Sequence, residues 1–125
     1  MREAHNHWIW SIVPIKYDRK EKDYIIATSS ADNNVKIWQL KKKITLSTFL
    51  LKKFAIALEY IPEKNILMAG DIDGVLNMFD VEDFKPGPKV KVHKGMITAI
   101  KCFKGTDICL TCGDDKHIRL WNMDQ

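Results

Sequence analysis

A fifteen-residue phrase recurs three times in this chain, and no other feature narrows the available folds as far. It spans residues 24–38, 65–79 and 107–121. In each copy an Asp (Asp32, Asp73, Asp115) stands six residues before an aromatic (Trp38, Phe79, Trp121). The aromatics lie 41 and 42 residues apart. A repeat of that length is one supersecondary unit, and it buries its apolar face only by stacking on its neighbours.

Each phrase is an apolar run, a polar turn and a second apolar run. Residues 25–28, 66–69 and 108–111 read as buried strands. The clusters Asp32-Asn33-Asn34, Asp73-Gly74 and Asp114-Asp115-Lys116 are turn formers. Residues 35–38 and 118–121 alternate with the strand period of two. A further strand precedes two of these hairpins. His5 is followed by Ile9 and Ile12, and His93 by Ile97 and Ile100, at the same offsets of four and seven. The middle unit has Leu51, Ala55 and Leu58 at the aligned places, so it lacks the His. Residues 44–50 and 89–92 supply one more strand each. Lys41-Lys42-Lys43 and residues 84–89 read as exposed connectors, by charge and by Pro/Gly content. The expected class is all-β, with four short antiparallel strands per unit and no helix required.

With these residues in place, the chain resembles three consecutive units of the WD-repeat β-propeller family over nearly its whole length. Of the family's Gly-His element only His5 and His93 remain. Its terminal Trp-Asp stands as Trp38-Gln39, Phe79-Asp80 and Trp121-Asn122, and is never intact. The resemblance implies three four-stranded blades of an incomplete ring, with one partial propeller over residues 1–125 and repeats at about 1–43, 44–88 and 89–125. It also implies a hydrogen-bonded chain within a blade. The matching residues are His5, Thr28 or Ser30, Asp32 and Trp38 in the first unit, and His93, Thr111, Asp115 and Trp121 in the third. A buried imidazole needs a partner for each ring nitrogen, which a carboxylate and a hydroxyl provide. The middle unit keeps only Asp73, and Phe79 has no N–H, so that blade is expected to rest on packing alone.

Composition works by exclusion. A chain of 125 residues that is 46% hydrophobic and 29% charged is globular by composition. The net charge of +4 is mild, and only Arg2, Arg19 and Arg119 carry the guanidinium forks that read phosphates and bases. No apolar run reaches the roughly 18 residues of a membrane span. The polar start of the sequence holds no signal-peptide core. Three cysteines, an odd count without a disulfide pattern, fit a reducing compartment, so an intracellular setting, cytoplasmic or nuclear, is expected. Cys109-x-x-Cys112 with His93 or His117 is the one zinc-like spacing, but positions i and i+3 of a strand face opposite ways. No metal and no cofactor is expected. The glycines form no phosphate loop and no serine sits in a nucleophile elbow. The repeat phase already explains the His–Asp spacing, so no catalytic residue and no enzyme is expected.

The resemblance implies a scaffold whose loops bind other proteins or peptides in a multi-protein complex. The alternative is a nucleic-acid- or chromatin-associated subunit using its basic surface. Strand-start and turn residues at the His end form the candidate partner-binding set: Trp8, Asn33, Gly74, Lys94, Met96 and Lys116. Trp8 is the tryptophan expected at the surface and Trp10 the one expected to pack. Residues 16–22 read as a solvated loop. Three units cannot close a ring of four or more blades. The chain is therefore expected to be a fragment, a split propeller or a self-assembling piece. The remaining blades would come from the rest of the protein, another chain or another copy, with open faces at Ile9, Ile12, Ile97 and Ile100.

Overall fold

The computed structural model describes residues 4–123. The first sheet comprises β1 (Ile9–Asp18), β2 (Asp23–Ser30), β3 (Asn34–Gln39) and β4 (Ile44–Leu50). The second comprises β5 (Ala55–Ile61), β6 (Ile66–Asp71), β7 (Val75–Asp80) and β8 (Lys85–Lys91). The third comprises β9 (Ile97–Cys102), β10 (Ile108–Gly113) and β11 (Ile118–Asn122). Within each sheet every strand pairs antiparallel with its neighbour in sequence, and no helix occurs among the described residues. The fold is all-β, and the three sheets form an arc that does not close.

Local sequence explains the strands. In β3, Val35 and Ile37 are fully buried while Lys36 between them is half-exposed. The turns need a left-handed residue at one place. Asn33, Gly74 and Lys116 occupy it in the three β2–β3-type hairpins, at φ of 68°, 80° and 68°. Each donates its N–H to the carbonyl three residues earlier. Gly74 is required for space as well, since a Cβ there would lie 2.0 Å from the His93 carbonyl oxygen.

The sheets stack face to face, with β5 lying against β1 and β2 on one side and against β9 on the other. Two apolar seams result. The first holds Val35, Ile37, Phe49, Leu67, Ala69 and Phe79, with the Phe49 and Phe79 rings stacked 4.2 Å apart. The second holds Met68, Leu76, Ile97, Ile100 and Cys109, with Trp121 packed at its edge. The three inner strands of the middle sheet are thus buried on both faces, while β8 is exposed. Gly70 lets the second seam close, because a Cβ there would come 2.5 Å from Ile97.

Several sequence expectations change here. Residues 84–89 are not a connector: β8 covers most of them and pairs with β7. Its prolines suit an exposed outer strand, because an edge position does not need every N–H. The sheets end after β4 and β8, so the boundaries between them fall at 51–54 and 92–96. Residues 16–18 extend β1, and only 19–22 form the loop. Of the faces expected to be open, Ile9 and Ile12 are exposed, but Ile97 and Ile100 lie inside the second seam. The open face of the third sheet is instead made by Ile118 and Leu120, 76% and 65% exposed. Ile118 pairs with Cys112 as Val35 pairs with Ser29 and Leu76 with Gly70, and both of those counterparts are buried.

Cysteine pairing is a further correction. Cys102 and Cys109 face each other across the β9–β10 hairpin, with Cα atoms 4.1 Å apart, and form a disulfide. Sequence spacing alone does not reveal this pairing, because the register of the hairpin sets it. Cys112 is free and lies beside the Thr98 hydroxyl.

Candidate functional site

The end of the arc that carries His5 and His93 concentrates the polar side chains. In the first sheet, Trp38 Nε1 donates to Thr28 Oγ1 at 2.9 Å, and Thr28 Oγ1 lies 2.6 Å from His5 Nε2. His5 Nδ1 is 3.0 Å from Asp32 Oδ2. The third sheet repeats the set: Trp121 Nε1 to Thr111 Oγ1 at 2.9 Å, Thr111 Oγ1 to His93 Nε2 at 2.8 Å, His93 Nδ1 to Asp115 Oδ1 at 2.9 Å. With the imidazole proton on Nδ1, each N–H and O–H in the chain has an acceptor. Of the two hydroxyls considered in the first unit, Thr28 takes this role. Ser30 Oγ donates to the His7 carbonyl and accepts from Asp32 N instead.

The turn carboxylates also gather backbone N–H groups. Asp32 accepts from Asn6 and Asn34, and Asp115 from Lys94 and His117. Burial pushes both carboxyls up, but these bonds outweigh it. The His93 hydrogen bond and the His117 and Lys94 N–H groups pull Asp115 down to about 2. Asp32 is likewise held below the ordinary carboxylate range by Asn34, Asn6 and His5. Such sites bind loops to turns. Both ring nitrogens of each buried His are engaged within its own sheet, by the turn carboxylate on Nδ1 and the threonine hydroxyl on Nε2.

The middle sheet departs from its expected dependence on packing alone. Asp73 is exposed. The buried carboxylate is Asp71, two residues earlier, whose Oδ1 accepts from the Asp73 and Val75 N–H groups. Its Oδ2 accepts from Asn77 Nδ2, which also donates to the Ala69 carbonyl. A carboxylate at the strand end, paired with an amide on the next strand, was the missed signal.

A second carboxylate, Asp23, ties the opposite end of the first sheet. Burial raises its pKa, but the N–H groups of Lys41, Lys42 and Tyr24 together hold it below the usual range. The lysine run there is engaged locally. Lys42 pairs with Glu21, and Lys41 stands 5.3 Å over the Tyr24 ring.

The candidate binding residues divide into two kinds. Asn33, Gly74 and Lys116 are the left-handed turn residues, so backbone geometry accounts for their positions. Trp8, Lys94 and Met96 lie in the segments leading into the inner strands, Trp8 being 76% exposed. Trp10 does not pack into the core as expected. It falls at a register shift in β1, is 42% exposed, and stacks on Phe54 at 5.8 Å with ring planes 9° apart. Trp8 meets Trp10 edge to face at 5.9 Å. Trp10 is the middle ring of the three, and Phe54 carries no mark in the sequence because its unit lacks the His that marks the strand start. Among the described residues there is no group of three or more His, Cys, Asp or Glu side chains that could hold a metal, and no helix able to cross a membrane.

Comparisons with known proteins agree with this geometry. A family model described as a beta-propeller domain matches residues 2–125. The chain is 32% identical over 96 residues to the human kinesin-like protein KIF21A, covering 75% of this chain and 6% of that protein. It is 26% identical over 98 residues to the p21-activated protein kinase-interacting protein 1-like of Xenopus laevis, covering 78% of this chain and 27% of that protein. The chain therefore spans well under a third of either relative. The crystal structure of RRP9 WD40 repeats superposes with a TM-score of 0.85 over 97% of this chain and 37% of its own, at 12% identity. That likeness is one of fold.

Proposed function

Because this chain belongs to the WD-repeat β-propeller family, a fold that generally serves as a protein-interaction scaffold, we propose that it is a non-catalytic part of such a scaffold, presenting the loops of its His end to partner proteins in a multi-protein complex. The observation that carries this reading is the division of labour at that end. The polar groups that resemble a catalytic set are consumed in fixing the loops, while large apolar side chains, Trp8 foremost, face outward from those fixed loops. Rigid presentation of aromatic and Met side chains is what an interaction surface requires. An intracellular setting belongs to the same proposal, and the Cys102–Cys109 bond is the feature that argues against it.

Further blades complete the picture. Ile118 and Leu120 on one flank and Ile12 on the other stand at the ends of the arc, where a neighbouring sheet would cover them. These blades can come from the same protein, another chain or another copy.

Affinity capture with the wild-type chain and with a Trp8→Ala/Lys94→Ala/Met96→Ala variant tests the reading. Protein partners should be lost from the variant while its unfolding midpoint stays unchanged. Partners kept by this variant but lost on replacing Lys41, Lys42 and Lys43 would move the site to the opposite rim. Capture of nucleic acid with a steep salt dependence would favour the basic-surface alternative.

A further inference from the structure

The three sheets place one large apolar side chain each at the same structural position. The Trp8 carbonyl accepts from Ala31 N, the Phe54 carbonyl from Ile72 N and the Met96 carbonyl from Asp114 N. Each of these residues directly precedes an inner strand, β1, β5 or β9, and each backbone is clamped by the hairpin turn of its own sheet. Trp8, Phe54 and Met96 therefore form a row across the arc, one per sheet, on fixed backbone. Trp10 fills the interval between the first two, in ring contact with both.

The margin of the row carries a cationic excess. Lys52 and Lys53 immediately precede Phe54, Lys94 stands two residues before Met96, and all three are exposed. Two of the nearby carboxylates are committed. Asp32 and Asp115 are tied to imidazoles and backbone N–H groups. Asp73 and Asp114 are exposed carboxylates in the same turns, and Asp114 lies over Gly95, so Lys94 is partly offset while Lys52 and Lys53 are not. The excess of free cations is concentrated around Phe54. No arginine lies in these loops, so the forks suited to phosphate are missing and ammonium groups remain.

Resting on the scaffold reading above, we infer that the Trp8–Phe54–Met96 row is the docking site for an extended acidic peptide whose aromatic or aliphatic side chains sit on the row while its carboxylates meet Lys52, Lys53 and Lys94. Apolar anchors supply the affinity, and the lysines select the charge of the partner and speed its encounter.

The test is selection of peptides from a random short-peptide display library on the full 125-residue chain. Selected peptides are then titrated against Trp8→Ala, Phe54→Ala and the double variant Lys52→Glu/Lys53→Glu. The expected peptides carry Asp or Glu beside Phe, Leu or Trp, and lose about tenfold or more in affinity on Trp8→Ala and on the charge reversal. Trp8→Ala and the lysine changes are at exposed positions, so they keep the test valid if Phe54→Ala unfolds. Peptides without an acidic bias, or binders indifferent to Trp8 and the two lysines, would overturn the inference while leaving the scaffold reading in place. Oligothymidine binding more tightly than any selected peptide would overturn it in favour of nucleic acid. Failure to select any peptide would count against both.

Discussion

In the first and third sheets, an indole, a threonine hydroxyl and an imidazole run in sequence to the turn carboxylate of Asp32 or Asp115. In the second sheet Phe79, Ala69 and Leu51 stand at the corresponding places, and Asp71 with Asn77 holds the turn instead. The difference teaches which part of the network is indispensable. All three sheets retain a carboxylate that collects the N–H groups of the hairpin turn, because those donors would otherwise lack partners. The His and Trp are one way to support that carboxylate, and a neighbouring amide is another. The middle sheet can also do without the longer chain because both faces of its three inner strands are buried, with Leu67, Met68 and Ala69 fully enclosed.

Three experiments break or sharpen this comparison. The largest effect is expected in the middle sheet's core, where Met68→Ala should cost about 2–5 kcal/mol in denaturant titration, through lost burial and a cavity in the second seam. A loss below that of an exposed-site control would mean that the middle sheet does not depend on packing as argued. Next come the polar members. Asp71→Ala should cost about 1–3 kcal/mol, as should Thr111→Val, which strands the Trp121 indole N–H, whereas Asp73→Ala should stay within about 0.5 kcal/mol. A larger loss at Asp73 than at Asp71 would restore the simple reading of the repeat.

The smallest effect is in acid. The folded-state pKa of Asp115 is depressed to about 2, so its contribution is complete above the ordinary value of 3.8 and is lost as pH falls through that interval. Asp32 acts in the same direction. The unfolding midpoint should therefore fall between about pH 4 and pH 2, and Asp115→Asn should flatten that fall. An unchanged acid limb in the variant would show that the carboxylate's pairing adds nothing to folding.

Much of the architecture was legible because it repeats. The Asp-to-aromatic spacing in three copies and the His5 and His93 offsets placed the hairpins, and the structure joins Asp32, Trp38, Thr111, Asp115 and Trp121 as the family resemblance implies, with Thr28 rather than Ser30 as the hydroxyl of the first sheet. What was not legible involves partners chosen by register or across a seam. Cys102 meets Cys109 because β9 and β10 pair in one particular register. Trp10 faces outward because β1 shifts register beside it, and it then finds Phe54 from the next sheet. Residues 84–89 looked like a linker by their prolines, yet an outer strand tolerates those prolines.

The sequence by itself determined the period, the strand-and-turn alternation and the polar residues that lie within one hairpin or one turn of each other. These follow from side-chain periodicity and from local hydrogen-bonding chemistry, which a linear chain displays openly. Only the tertiary structure decided which faces are covered. Ile97 and Ile100 became core while Ile118 and Leu120 stayed open, although all four read as strand apolars. Burial is a property of what stacks on a sheet, and stacking joins residues some 40 positions apart that no local pattern relates.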